Sequence, residues 1–150
     1  MLAVGKLGAA YILVFLLVGL GGCASNPSKN MMDQFDEAER AYSLGLLSNA
    51  EATYLEITEK HPNFGEAWFR LGNIYVRTGQ FDAAIRMFEK YVKINPNDVR
   101  GWNNLALTRM KQAVDVLQQG QKKFSRDSNE YHYLEEMIKR MVNVTGSGAQ

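Results

Sequence analysis

The chain is poor in the residue types that carry most protein chemistry. It has 150 residues but one cysteine, two histidines and three prolines. A single Cys23 cannot close a disulfide within the chain and offers no cysteine-based metal set. His61 and His132 stand 71 positions apart, with no carboxylate cluster at ligand spacing beside either. No glycine-rich phosphate loop, nucleophile elbow or His-Glu-x-x-His pattern occurs. The adjacent Glu135 and Glu136 read as solvating groups on a helix. The chain is therefore read as a non-enzyme with no metal and no cofactor. Excess charge is missing too, with 17 basic residues against 16 acidic. A nucleic-acid binder or a polybasic membrane module would show a clear positive surplus.

What the chain does have begins with an apolar stretch. Residues 1–22 hold no acid and one base, Lys6, and Leu7 to Leu20 is almost wholly apolar. About 14 residues are too few for a membrane span of roughly 20, but they suit the hydrophobic region of a secretory signal. Leu20-Gly21-Gly22-Cys23 follows. This resembles the lipobox of bacterial lipoproteins, in which small residues precede a cysteine that is acylated before cleavage. The resemblance implies a signal peptide over 1–22 and lipid attachment at Cys23. Ala24 rather than Asp behind it implies the outer membrane, facing the periplasm. Removing Lys6 with the signal leaves 16 bases against 16 acids. Residues 23–30 form the anchor and a polar tether broken by Pro27.

The remainder repeats. Gly45–Asn63 aligns without gaps on Gly79–Asn97, matching glycine, alanine, aromatic and Pro-Asn positions, so that Pro62 and Pro96 lie 34 apart. In the unit from Gly65 to Asp98, spacings of three and four put Trp68, Leu71, Gly72 and Tyr75 on one helical face. Ala84, Phe88 and Pro96 complete the pattern. It resembles the tetratricopeptide repeat. The implied fold is all-α, a helix-turn-helix solenoid of about three repeats over 31–145, with a frayed tail at 146–150. Gly79 suits the turn, Asp82 is a candidate cap for the second helix, and Trp68 and Trp102 fall at core positions. Further helix starts are read at Ser48 with Glu51, Asn63 with Glu66, and Asp127 with Glu130.

The first repeat departs from the pattern. It has Gln34 and Glu37 where Trp and Leu would stand, and offers Phe35, Ala38, Tyr42 and Leu44 as an alternative stripe. The third begins with Trp102, Leu105 and Ala106, but Ala113, Leu117, Phe124 and Ser125 arrive five residues early. Two outcomes compete: a tight turn near Arg109–Gln112, or one long helix from about Asp98 to Phe124. With no Gly or Pro between Trp102 and Gln119, the long helix is favoured. A last helix, about Ser128 to Val144, would then pack elsewhere or meet a second molecule.

Resemblance to this family implies binding of a partner peptide or helix in a concave groove. The groove positions would be Phe69, Arg70, Asn73, Val76 and Arg77, followed by Arg100, Asn103, Asn104, Leu107 and Lys111. The arginines and asparagines loosely resemble groups that grip a peptide carboxylate, although Phe35 and Glu39 in the first repeat break that pattern. Small lipoproteins resembling this one serve pilus assembly, secretin placement, exopolysaccharide export or peptidoglycan-enzyme scaffolding. The implied role is a membrane-anchored adaptor. A self-associating structural lipoprotein, using the shortened repeat and last helix as its oligomer interface, is the alternative.

Overall fold

The computed structural model describes residues 30–146. The signal segment, Cys23 with its tether as far as Lys29, and tail residues 147–150 lie outside the described residues. Those described form six helices and no strand: α1 (Met31–Ser43), α2 (Leu47–Lys60), α3 (Gly65–Arg77), α4 (Phe81–Ile94), α5 (Val99–Gln121) and α6 (Asn129–Gly146). Each packs chiefly against its neighbours in sequence, as expected of a stacked-hairpin architecture.

The repeat is visible in matched local devices. Gly45 and Gly79, one period apart, both take positive φ (76° and 74°) in the hairpin turns, a conformation that costs glycine little. Trp68 Nε1 donates to the Pro62 carbonyl at 2.9 Å, and Trp102 Nε1 repeats the bond to Pro96 at 2.8 Å. Each proline-containing loop is thereby tied to the first turns of the next helix.

Two packed clusters hold the stack. The first joins Ala38, Ala50, Tyr54, Ile57, Ala67, Leu71 and Ile74. The second joins Phe69, Ala84, Phe88, Tyr91, Val92 and Leu105. Each fully buried large side chain contributes roughly 1.5–3 kcal/mol, against ~0–1 kcal/mol for an exposed ion pair, so apolar packing sets the fold. Close approach is what makes the packing possible. A Cβ built on Gly72 would meet the Phe88 ring at 2.5 Å, and one on Gly101 would meet the Tyr91 ring at the same distance.

Several expectations change. The helix caps are Asn30, Asp98 and Ser128, whose side chains accept from the backbone N–H groups of Asp33, Arg100 and Tyr131. Ser48, Asn63 and Asp82 do not cap, because α2, α3 and α4 begin from Leu46, Phe64 and Gln80 without a side-chain cap. Asp82 sits inside the first turn of α4 instead and accepts from Gln112 of α5. The cap of α6 falls on Ser128, one residue past Asp127. Leu44, placed in the apolar stripe of the first repeat, is exposed.

The third unit is a single long helix, α5, in place of a hairpin. The final helix packs on it, with Leu134 lying 3.7 Å from where a Gly120 Cβ would stand. Its outer face carries Glu136–Arg140 (3.1 Å) and Glu135–Lys139 (3.4 Å) pairs, a polar surface suited to ending a stack. The helix is therefore not left unpaired. Lacking a hairpin partner, however, the upper half of α5 keeps one face bare. Trp102 is 51% exposed and Val99 75%. Trp102 thus departs from its expected core placement, whereas Trp68, covered by α4, is half-buried and touches both clusters.

Gly72 and Ala106 occupy the same repeat position, yet Gly72 is buried and Ala106 exposed. Gly72→Leu should cost about 3 kcal/mol or more through overpacking. Ala106→Leu should stay within ~0.5 kcal/mol, as surface changes do. Denaturant unfolding of the two variants checks this, and equal losses would show that a helix covers Ala106 after all.

Candidate partner-binding face

Helices α1, α3 and α5 are linked side by side through their polar side chains. Glu39 of α1 meets Arg70 Nε of α3 at 2.7 Å, and Arg70 lies 3.8 Å from Glu66. Glu66 in turn pairs with Arg100 of α5 at 3.3 Å, and Arg100 pairs with Asp98 at 2.7 Å. One turn further along, Asn104 Nδ2 donates to Asn73 Oδ1 at 3.0 Å. The result is an alternating acid–base ladder across three helices, laid over a floor of rings. Arg100 lies 5.0 Å above the Phe69 ring centroid, and Arg70 and Arg77 lie 5.8 and 5.1 Å from that of Tyr42.

Two tyrosines anchor the ladder to the core. The Tyr54 hydroxyl donates to Glu39, and the Tyr91 hydroxyl donates to Asp98 while accepting from Arg100 at 2.9 Å. Burial pushes Tyr54 far above the ordinary phenol range, and the bond to Glu39 adds to the shift. Tyr91 is pushed up to about 12, first by burial and then by its bond to Asp98. Tyr75 also rises to about 12, through burial and then a bond to Glu51. Hydrogen bonds from Arg100 and Tyr91 hold the Asp98 carboxyl well below the usual carboxylate range.

This geometry sorts the expected groove residues. Phe69 does not line the face. It is 6% exposed, lodged against Phe88 (5.8 Å between centroids) and Tyr91 (4.9 Å), and belongs to the core. Arg70 and Arg100 are on the face, but their charges are already matched by Glu39, Glu66 and Asp98. Asn73 and Asn104 come together with each other. Arg77, Asn103 and Lys111 are exposed. A groove of about 590 Å³ opens beside Leu107 and Lys111, is walled by residues of α4, α5 and α6, and is lined also by Asp115 and Gln118.

Sequence reasoning missed Gly101, which lets α5 close onto Tyr91 and so brings Arg100 to its partners. The available signal was a glycine standing where Ala67 stands one period earlier. Among the described residues, no group of three or more His, Cys, Asp or Glu side chains is placed to hold a metal. Nor is any described helix long and apolar enough to cross a membrane.

Residues 65–98 match the family model described as tetratricopeptide repeat. That one unit, α3 with α4, is similar to a tetratricopeptide repeat. The chain's fold extends the likeness, because the crystal structure of the Sgt2 TPR domain from Aspergillus fumigatus superposes with a TM-score of 0.53 at 20% identity. That match covers 83% of this chain and 86% of the other. No curated protein matches the sequence.

Raised tyrosine values carry a pH prediction. A phenol whose folded value lies above its ordinary 10 stabilises the fold below pH 10, and that contribution is lost as pH climbs through about 12. Alkaline titration of phenolate absorbance should therefore show a late phase near 12, accompanied by loss of helix signal. Asp98→Asn should bring Tyr91 down within that phase. A single phase centred near 10 that covers every tyrosine, with intact helices, would contradict the geometry.

Proposed function

We propose that this chain is a lipid-anchored adaptor of the bacterial cell envelope, which holds a segment of a protein partner on the face of α1, α3 and α5 and performs no catalysis. The observation that carries the reading is the stacked face itself. Three helices are locked in register by cross-helix bonds, leaving Arg77, Asn103 and Lys111 exposed toward a partner. A pre-formed surface of this kind loses little conformational entropy on binding.

Anchoring rests on Leu20-Gly21-Gly22-Cys23 behind an apolar run. Each buried CH₂ of an acyl chain adds about 0.8 kcal/mol to membrane affinity, so several chains hold the protein at the bilayer without help from the folded domain. Ala24 supports delivery to the outer membrane, with the repeat domain in the periplasm. Pilus, secretion and exopolysaccharide assembly are the processes such an adaptor suits.

A second reading has its own observation. Val99, Trp102 and Ala106 lie bare along α5, and Val116 farther along the helix is 61% exposed. A second copy covering this stripe would make the protein a self-associating structural lipoprotein. Sedimentation of a soluble form beginning at Ser25 tests it, since a strict monomer at high concentration removes the option.

For the adaptor, Cys23→Ala should abolish acyl labelling, leave the signal uncleaved and raise the apparent mass. An unchanged size, with the variant still in the membrane fraction and still labelled, would exclude the lipoprotein reading.

A further inference from the structure

One stripe runs along α5 at alternating steps of three and four residues: Val99, Trp102, Ala106, Arg109, Ala113 and Val116. That is the spacing at which two paired helices meet. Ala113 is half-buried, and the other five are exposed.

The two ends of the stripe complement each other. Near its start Trp102 is a large aromatic without a cover, with Val99 bare beside it. Toward its end a groove of about 450 Å³ opens between α5 and α6. Arg109, Ala113 and Val116 of the stripe line this groove, together with Gln112, Leu117, Met137 and Met141. Methionine is a flexible, polarisable filler that packs favourably against aromatic rings. Past Val116, a Cβ built on Gly120 would meet Leu134 at 3.7 Å and nothing closer, so the groove has room for a ring.

The chain cannot bring its own Trp102 to this groove. Both lie on one unbroken helix, and Trp102 stands about 20 Å from Val116 at 1.5 Å per residue. A second copy can do so. Two α5 helices laid antiparallel, with a two-fold axis between Arg109 and Ala113, seat each Trp102 beside the other's methionines at the same time. Such self-complementarity is what a two-fold interface requires. A parallel pair would instead set Trp102 on Trp102 and Arg109 on Arg109. Charge near the axis is matched, because Arg109 pairs with Glu89 at 2.7 Å while 57% and 41% of the two side chains stay exposed. Each copy therefore offers the other a cation and an anion. By helical periodicity Arg100, Asn104 and Lys111 fall on the opposite side of α5, so this pairing leaves the α1/α3/α5 face open in both copies.

We propose that the occupant of the stripe is α5 of a second copy, antiparallel, with Trp102 of each chain seated against Val116, Met137 and Met141 of the other. The proposal rests on the self-association reading given above and specifies which surfaces meet.

The test uses the full-length chain in detergent. Its mass, with bound detergent subtracted, should be that of a dimer. Val116→Arg should weaken the dimer by about tenfold or more, with unchanged circular dichroism. Differently tagged Ala106→Cys and Val116→Cys chains, co-expressed, should be joined to each other by a short bis-maleimide, and neither to its own kind. The chain without an added cysteine, which holds Cys23 alone, is the control. A dimer joined like to like, joined at neither position, or indifferent to Val116→Arg would overturn the antiparallel pairing while leaving self-association standing. A monomer at every concentration would overturn both.

Discussion

Gly72 beneath the Phe88 ring, and Gly101 beneath the Tyr91 ring, are the contacts on which the rest of the molecule depends. Each lets one helix backbone come within ring-contact distance of the next. At that separation Phe88 and Tyr91 are fully buried, and the apolar area they remove from water dominates the stability of the stack. A side chain at either glycine would push the helices apart and strain a close-packed interior. The same closeness brings Arg100 over Phe69 and within reach of Tyr91, Asp98 and Glu66. The polar face is thus a consequence of the apolar one.

That face is largely self-satisfied, which changes what it can recognise. An arginine already matched by two carboxylates gives a ligand anion little, because the ligand must compete with groups held in place by the fold. Tyr54 and Tyr91 reinforce this by tying Glu39 and Asp98 to the core. The upper ladder accordingly works as a brace, keeping α1, α3 and α5 in register. At the other end Arg77 lies exposed over the Tyr42 ring of α1, and Lys111 stands beside a groove that Asp115 and Gln118 also line.

The missing turn in the third unit has two structural results. It carries α5 past the point where a hairpin would close, leaving Val99, Trp102 and Ala106 bare. It also gives α6 a surface on which to pack, and the polar outer face of α6 finishes the stack. One five-residue shortening therefore creates both the exposed stripe and the groove.

The sequence by itself determined the repeat, its period and its hairpin turns, and it favoured the long α5 over a tight turn near Arg109–Gln112 without deciding between them. These follow from local rules: glycine tolerates positive φ at Gly45 and Gly79, proline ends helices, and nothing between Trp102 and Gln119 interrupts one. Tertiary structure alone decided which side chains face outward. Phe69 lies at the border between two helical stripes, and only the arrival of Phe88 and Tyr91 from α4 made it core. Trp102 carries the same local signal as Trp68, and the absence of a covering helix exposed it. Arg70 finds Glu39 across 31 positions, and Arg100 finds Glu66 across 34. Pairings at such separations depend on how helices stack, a relation that helical periodicity does not encode.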